Sequence, residues 1–308
     1  MIVIRELNQF PSLAHAVVTS GTFDGVHVGH QKILSRLIET TRQSHGQSVV
    51  ITYWPHPRMV LHPEDDSLWL LSTIEERIEA LRIFGVDYLL ILPFTREFAQ
   101  LSSEEYIQQI LIQTIHTKKL VIGYDHRFGK NREGGFEYLQ QNAVRYGFEV
   151  EEIPRQDIEA VGVSSSKIRT ALEHGDVDTA TRYLGRHYSL TGTVVQGKQL
   201  GRTIGFPTAN IEVAEKTKLV PARGVYAVKV KTSQGVYKGM LNIGTRPTVD
   251  GSTQTIEVHL FDFASDLYGK EITLFFVAFL RPEEKFSGIE ALTQQLQQDQ
   301  ASALQVLG

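Results

Sequence analysis

Apolar positions follow two different rhythms along the chain, and the change of rhythm divides it. Up to about Arg182, short apolar runs alternate with segments of helical period. Residues 16–20, 49–54, 88–92, 120–123 and 148–152 are near-continuous runs of the kind that form strands buried on both faces. Between them, residues 31–41 set Ile33, Leu34, Leu37 and Ile38 on one helical stripe. The segments opening at Ser72 and Ser102 carry Glu75 and Glu105 three places on, the pattern of a capping box. Strands alternating with helices predict an α/β domain, a parallel sheet with helices on both faces, whose ligands bind at the carboxyl ends of the strands.

After about Gly185 the period falls to two, with Val228 and Val230 alternating with Lys229 and Lys231. Ser233-Gln234-Gly235 then turns into a strand over 236–243, which predicts a hairpin. Strands follow over 256–263 and 271–280, separated by a turn at Gly269 and Lys270. Only 287–300 regains a helical stripe, formed by Ile289, Leu292 and Leu296; its Gln-rich stretch is read as a solvated helix face. This half is expected to be a mostly antiparallel β-barrel or sandwich with a C-terminal helix. The seam is expected near 183–187, after a helical segment at 176–184, which gives domains 1–185 and 186–308.

Composition agrees with that division. At about 150 residues per domain, 308 residues suit two. Lys and Arg number 31 against 35 acidic residues, and a net charge of −4 argues against a nucleic-acid partner. The chain has no cysteine, which excludes a disulfide framework, a thiolate metal site and a cysteine nucleophile. Residues 1–10 lack the basic stretch and apolar run of a signal peptide. The longest apolar run, 272–280, falls far short of the roughly 20 residues that cross a bilayer as a helix. A soluble, cytoplasmic protein with no membrane contact is expected, in a compartment rich in ATP and magnesium. The sequence carries no signature of an oligomeric partner.

The first chemically suggestive segment is GTFDGVHVGH, residues 21–30, between the 16–20 strand and the helix that follows. Gly21, Gly25 and Gly29 let backbone N–H groups approach an anion, and the start of a helix favours negative charge. His27 and His30 are three apart, so both face one side of the helix start, ~5–6 Å between Cβ atoms. Two imidazoles there suit a triphosphate whose α-phosphorus gathers charge during attack. The same pair could also hold a metal, but no third ligand lies nearby in sequence, and zinc sites use three or four. A dinucleotide GxGxxG fingerprint is absent, and Gly123 to Gly129-Lys130-Asn131 is one residue too long for a Walker loop.

The HxGH pattern marks the nucleotidyltransferase superfamily, and GTFDGVHVGH resembles the adenylyltransferase half of the bacterial bifunctional riboflavin kinase/FMN adenylyltransferases, the FAD synthetases. TYWPHP at 52–57, GYDHRFGKNREG at 123–134 and VSSSKIR at 163–169 are similar to that family's segments in the same order. The resemblance implies that Gly21, Phe23, Asp24, Gly25, Gly29, Ser164, Ser165, Ser166 and Arg169 bind ATP. It implies that His56, Asp125 and Arg127 contact the flavin or the nucleotide. Two positions depart from the family: Ser166 stands where Thr is usual, and His126 replaces a usual Phe.

In the second half, GRTIGFPTAN at 201–210 resembles the riboflavin kinase signature. Thr208 and Asn210 are two apart in an extended segment, so both oxygens point to one face, and hard oxygen ligands suit Mg2+. IEVHLFDF at 256–263, DLYGKEI at 266–272 and FLRP at 279–282 continue the resemblance. It implies phosphate contacts at Gly201, Gly205 and Pro207, a catalytic Glu257 and a flavin-side Arg281.

The two implied reactions differ in what they require. A ribityl hydroxyl is protonated at neutral pH, so phosphorylating it calls for a general base such as Glu257. The phosphate of FMN, with a second pKa near ~6, is already largely dianionic and needs positioning rather than a base. The expected function is therefore ATP-dependent conversion of riboflavin to FMN in the barrel. Adenylylation of FMN to FAD, with release of pyrophosphate, is expected in the α/β domain. Two rivals are a lone adenylyltransferase with a flavin-binding barrel and a non-catalytic flavin or nucleotide sensor. The intact PTAN segment and Glu257 argue against the first, and the intact HxGH against the second.

Overall fold

The computed structural model describes residues 1–308 except 66, 155–161, 198–199 and 249–250; for 200, 246–248 and 251–253 it describes backbone alone. By contacts the chain divides into two compact units, Met1–Ser165 and Ser166–Gly308.

The first unit is built on six strands: β1 (Ile2–Ile4), β2 (Ala16–Ser20), β3 (Gln47–Trp54), β4 (Tyr88–Pro93), β5 (Thr117–Gly123) and β6 (Glu149–Ile153). All pairings are parallel, in the order β1-β4-β3-β2-β5-β6. Alternate strand residues feed two cores. Val17, Val50, Leu89, Ile91 and Val121 pack against Leu34 and Leu37 of α1 (Val28–Gln43), and against Ile74, Ile78 and Leu81 of α3 (Ile74–Ile83). On the other face Val18, Ile51, Leu90 and Ile122 meet Ile107, Ile110 and Leu111, together with Leu139 of α5 (Phe136–Tyr146). The expected two-faced parallel sheet is present, and it gains the short edge strand β1, too brief for its pattern to reveal.

A short α2 (Pro57–Leu61) follows β3. Ser102 and Glu105 form the capping box expected of them, but it opens only one α-turn, α4 (Ser103–Tyr106), before the chain widens into a π-helix over Ile107–Thr114. The other box lies one residue later than expected. Thr73 and Glu76 cap α3, because the Ser72 hydroxyl is engaged elsewhere, with Asp24 and Gly25.

The second unit opens with α6 (Ser165–Glu173), whose first residue belongs to the first unit, and α7 (Val177–Leu184). Six strands then close a barrel: β7 (Tyr188–Val195), β8 (Ala209–Glu212), β9 (Gly224–Thr232), β10 (Gly235–Thr248), β11 (Gly251–Leu260) and β12 (Glu271–Arg281). Every pairing is antiparallel, in the order β10-β11-β8-β7-β12-β9. A short α8 (Leu200–Thr203) precedes β8, and α9 (Ile289–Leu307) ends the chain. β11 stops at Leu260 rather than at 263, because Asp262 takes a left-handed φ of 54° that breaks the ladder. In α9 the expected stripe shifts. Ile289 is exposed, and Leu296, Asp299, Ala303 and Leu307 face the barrel side instead.

Candidate active sites

In the first unit the strand order reverses at β2. The chain steps from β2 to β3 and β4 on one side, then returns to β5 and β6 on the other. The crevice at the carboxyl ends of β2 and β5 is where an open parallel sheet receives ligands. Both segments singled out from the sequence, 21–30 and 123–134, leave from those two strand ends.

After β2, the chain makes a 3-10 turn at Asp24–Val26, and His27 caps α1. Phe23 and Val26 adopt left-handed φ of 49° and 42°, rare for any side chain and costly for a β-branched one, while Gly25 takes φ 79° without penalty. The turn is held from below. The buried Asp24 carboxylate accepts from Leu71 N (3.0 Å), Ser72 N (3.0 Å) and Ser72 Oγ (3.1 Å), and that hydroxyl accepts in turn from Gly25 N (3.0 Å). Asp24 is thus turned inward and shapes the loop.

His27 Nδ1 accepts from His30 N at 3.3 Å, so in the neutral ring the proton sits on Nε2. The two imidazoles stack, centroids 3.7 Å apart and 13° from parallel, and Phe23 meets His30 edge-on at 5.2 Å. Burial, then the neighbouring His27 and the Arg77 cation, hold His30 well below the ordinary imidazole value, so it is neutral near pH 7. Gly29 leaves room for the stack. A Cβ there would lie 3.2 Å from the His27 ring and 3.3 Å from Val163, at the head of the VSSSKIR segment. Gly21 continues the sheet by donating to Ile51 O at 3.0 Å. Ser165 Oγ donates to Asp24 O at 3.2 Å, which brings the two separate motifs onto one loop. Ser164 precedes it; Ser166 and Arg169 lie on α6 in the second unit.

Around the strand ends lies an aromatic cluster. The Tyr53 and Tyr106 hydroxyls meet at 3.1 Å, with Phe94, Phe98 and Phe128 in ring contact. His126 Nε2 is 2.7 Å from Ser20 Oγ, so it ties β2 to the loop after β5. Burial first, then the Arg127 and Arg132 charges, push the His126 pKa down to about 4 against the opposing Ser20 bond. His56 caps α2 by accepting from Arg58 N at 3.2 Å. Asp125 and Arg127 are exposed on the loop after β5.

In the barrel, register brings the second group together. Glu257 of β11 pairs directly with Asn210 of β8, and Thr208 Oγ1 donates to Glu257 Oε2 at 3.4 Å. Asn242 of β10 lies directly across from Glu257 on its other side, a position that the sequence reading had passed over. Gly201 O accepts from Phe206 N at 2.8 Å, Gly205 turns at φ 83°, and Pro207 O accepts from His259 Nδ1 at 2.7 Å. Arg281 is engaged with α9. Its Nε and Nη2 donate to Asp299 at 2.8 and 2.7 Å, a bidentate pair that locks α9 to β12.

Three further residues of the first site were not named as site residues from the sequence: Ser72, read only as a helix cap, Thr52, within the 52–57 segment, and Arg77. Arg77 left one signal, a charged residue on the buried stripe of α3 between Ile74, Ile78 and Leu81.

Comparison with known proteins covers both units. The FAD synthetase family model matches residues 10–167, and the riboflavin kinase model matches 184–307. The bifunctional riboflavin kinase/FMN adenylyltransferase of Escherichia coli K12 is 38 % identical over 306 residues, 99 % of this chain and 96 % of that one. The protein of the same description from Bacillus subtilis 168 is 36 % identical over 94 % of this chain and 92 % of its own. A crystal structure described as a macrolide-efflux protein from Streptococcus pneumoniae superposes with a TM-score of 0.89 at 31 % identity, over 98 % of both chains. Among the described residues no helix of the present chain is long and apolar enough to cross a membrane. The chain belongs to the bifunctional riboflavin kinase/FMN adenylyltransferase family.

Proposed function

We propose that the chain makes FAD from riboflavin in two ATP-dependent steps, phosphorylation within 186–308 and adenylyl transfer within 1–185. The observation that carries this reading is a difference between the two sites. A carboxylate stands beside a hydroxyl and an amide in the barrel, whereas stacked imidazoles and hydroxyls gather at a helix start in the α/β unit.

In the kinase step Glu257 takes the proton from the ribityl hydroxyl as its oxygen attacks the γ-phosphorus, and ADP departs. Thr208 Oγ1 and the Asn210 amide oxygen would hold Mg2+. The donor set fits, since both are hard oxygens on half-buried residues, and Mg2+ retains waters and phosphate oxygens for its remaining positions. When bound, the ion neutralises phosphate charge. Gly201, Gly205 and Pro207 form the turn on the phosphate side, and Arg281 lies on the flavin side, where it holds Asp299.

In the adenylyl step the FMN phosphate, already anionic, attacks the α-phosphorus and pyrophosphate leaves. His27 donates from Nε2, and His30 with the backbone of the α1 N-terminus meets the charge that develops. Ser164, Ser165, Ser166 and Arg169 bind the triphosphate. Gly21, Phe23, Asp24, Gly25 and Gly29 give the loop its shape. The aromatic cluster receives the flat isoalloxazine, with His56, Asp125 and Arg127 at its margin. The demand for ATP suits the cytoplasmic location read from the sequence.

The test is incubation with riboflavin, ATP and Mg2+, with flavins separated by chromatography over time. FMN first and FAD after it is the expected result. FMN alone would refute the adenylyl assignment, FAD only from added FMN would leave a lone adenylyltransferase, and no product from either would make the chain a sensor.

A further inference from the structure

Arg77 is the largest fully buried side chain among the described residues, at 0 % exposure. Its Nη1 donates to Thr52 Oγ1 at 3.2 Å and to Tyr53 O at 3.3 Å, and its guanidinium lies 5.8 Å from the Trp54 ring centroid. Nε and Nη2, also buried, have no hydrogen-bond partner among the described residues. Nor does the guanidinium form an ion pair within contact distance there. Asp24 acts on it through space, while the Asp24 carboxylate is held by Leu71 and Ser72. Arginine does not give up its proton, so this is a permanent and under-compensated charge in a low-dielectric interior.

Its surroundings indicate what the charge serves. Thr52 Oγ1, which accepts from Arg77, donates onward to Thr22 O at 3.1 Å. A single hydroxyl thus links the guanidinium to the loop that carries His27 and His30. The groups acting on His30 are the stacked His27, the edge of Phe23 and Arg77 itself. The His30 Nδ1 atom is buried without a partner among the described residues. A cation beneath this loop raises the potential where phosphate oxygens must sit, and it opposes a second positive charge on the imidazole pair.

We propose that Arg77 is a positioning residue for adenylyl transfer, a fixed buried cation that holds the Gly21–His30 loop through Thr52 and makes it receptive to the triphosphate. The proposal rests on the adenylyltransferase reading above. Arg77 touches neither substrate; it acts through Thr52 and His30.

The experiment uses the full chain with Arg77→Met, which keeps bulk without charge, and Arg77→Lys, which keeps charge. Arg77→Met should lower kcat/KM for ATP in FAD formation by about 100-fold, and Arg77→Lys should recover to within about fivefold of wild type. FMN formation in the same preparation should be unchanged. The His30 imidazole, followed by NMR against pH and assigned with His30→Gln, should titrate higher in Arg77→Met and not in Arg77→Lys. Equal losses in both variants would reduce Arg77 to packing and overturn the proposal, as would a Met variant within threefold of wild type. Thr52→Val breaks the link and keeps the charge. It should cost about tenfold in kcat/KM with His30 titration unmoved, and no loss there overturns the linkage whether or not Arg77→Met folds. If wild type made no FAD, the functional reading would fall, and an unmoved His30 titration in Arg77→Met would still sink the present proposal separately.

Discussion

The proposed nucleotide site of the α/β unit offers stacked imidazoles, serine hydroxyls and a helix start, and its one carboxylate within the loop, Asp24, is spent on backbone N–H groups. The barrel does the reverse. It keeps Glu257 half-exposed between Asn210 and Asn242 with Thr208 at hand. Each arrangement matches the proton content of its acceptor. A hydroxyl must lose a proton to become a nucleophile, and a phosphate dianion has none to lose. A free carboxylate beside the incoming dianion would repel it, so burying Asp24 among amide donors is part of what makes the first site usable.

The sharpest way to break this contrast is to exchange the losses. His30→Ala should reduce FAD formation from FMN by about 1,000-fold and leave FMN formation from riboflavin intact. Glu257→Gln should do the opposite by a comparable factor, since it removes the proposed base and keeps the shape. Flavin chromatography on both variants decides the matter. Loss of both products in either variant would dissolve the two-site division.

The contrast was partly legible before any coordinates. Strands such as residues 16–20 and 88–92 announced themselves because a parallel sheet buries both faces, and Lys229 and Lys231 announced the wall of a barrel or sandwich because antiparallel strands leave one face wet. The HxGH and PTAN segments are local, so their residues could be named from the family resemblance they carry, with spacing in agreement. What stayed hidden depends on long-range pairing. Asn242 gains meaning only from its register with Glu257, and Ser72 only because the chain returns beneath Asp24. That return also moved the α3 cap from Ser72 to Thr73, since one hydroxyl cannot serve both. Ile289 misled for a similar reason. The α9 stripe is set by where β9 and β10 lie, and it admits Asp299 because Arg281 meets it there.

That Arg281–Asp299 pair sharpens the comparison in energy rather than in rate. In the α/β unit a buried arginine has no ion partner in contact among the described residues, whereas in the barrel the partner is bidentate, with Asp299 only 3 % exposed. Removing one member of such a pair strands the other charge and costs roughly 3 kcal/mol or more. Asp299→Ala should therefore lower the unfolding midpoint of the barrel clearly, read by circular dichroism. Arg281→Met should cost a similar amount and also raise KM for riboflavin. An unchanged KM would remove Arg281 from the flavin side and leave it as an anchor for α9.

The smallest expected effect separates the units by their response to acid. His126 titrates at about 4 in the folded protein against an ordinary 6.5, so as pH falls the unfolded chain binds the proton first. The stability associated with the neutral ring is complete above pH 6.5 and drains away as pH falls toward 4. With the residue only partly buried, the loss should be about 1–2 kcal/mol rather than the full linkage value. His30 adds a loss of the same sign from the same unit, and His187 in the barrel, also lowered by burial, gives the barrel its own weaker counterpart. The two tryptophans, Trp54 and Trp69, both lie in the α/β unit, so their fluorescence follows that unit's unfolding alone. Urea titrations read this way should show the wild-type midpoint falling between pH 7 and 4.5. In His126→Phe, which removes the titrating ring, the decline should be shallower without disappearing, because His30 remains. A decline identical in the two proteins would mean that the His126 ring takes up its proton in the fold as readily as in the unfolded chain. Its bond to Ser20 would then outweigh the burial that now holds it neutral.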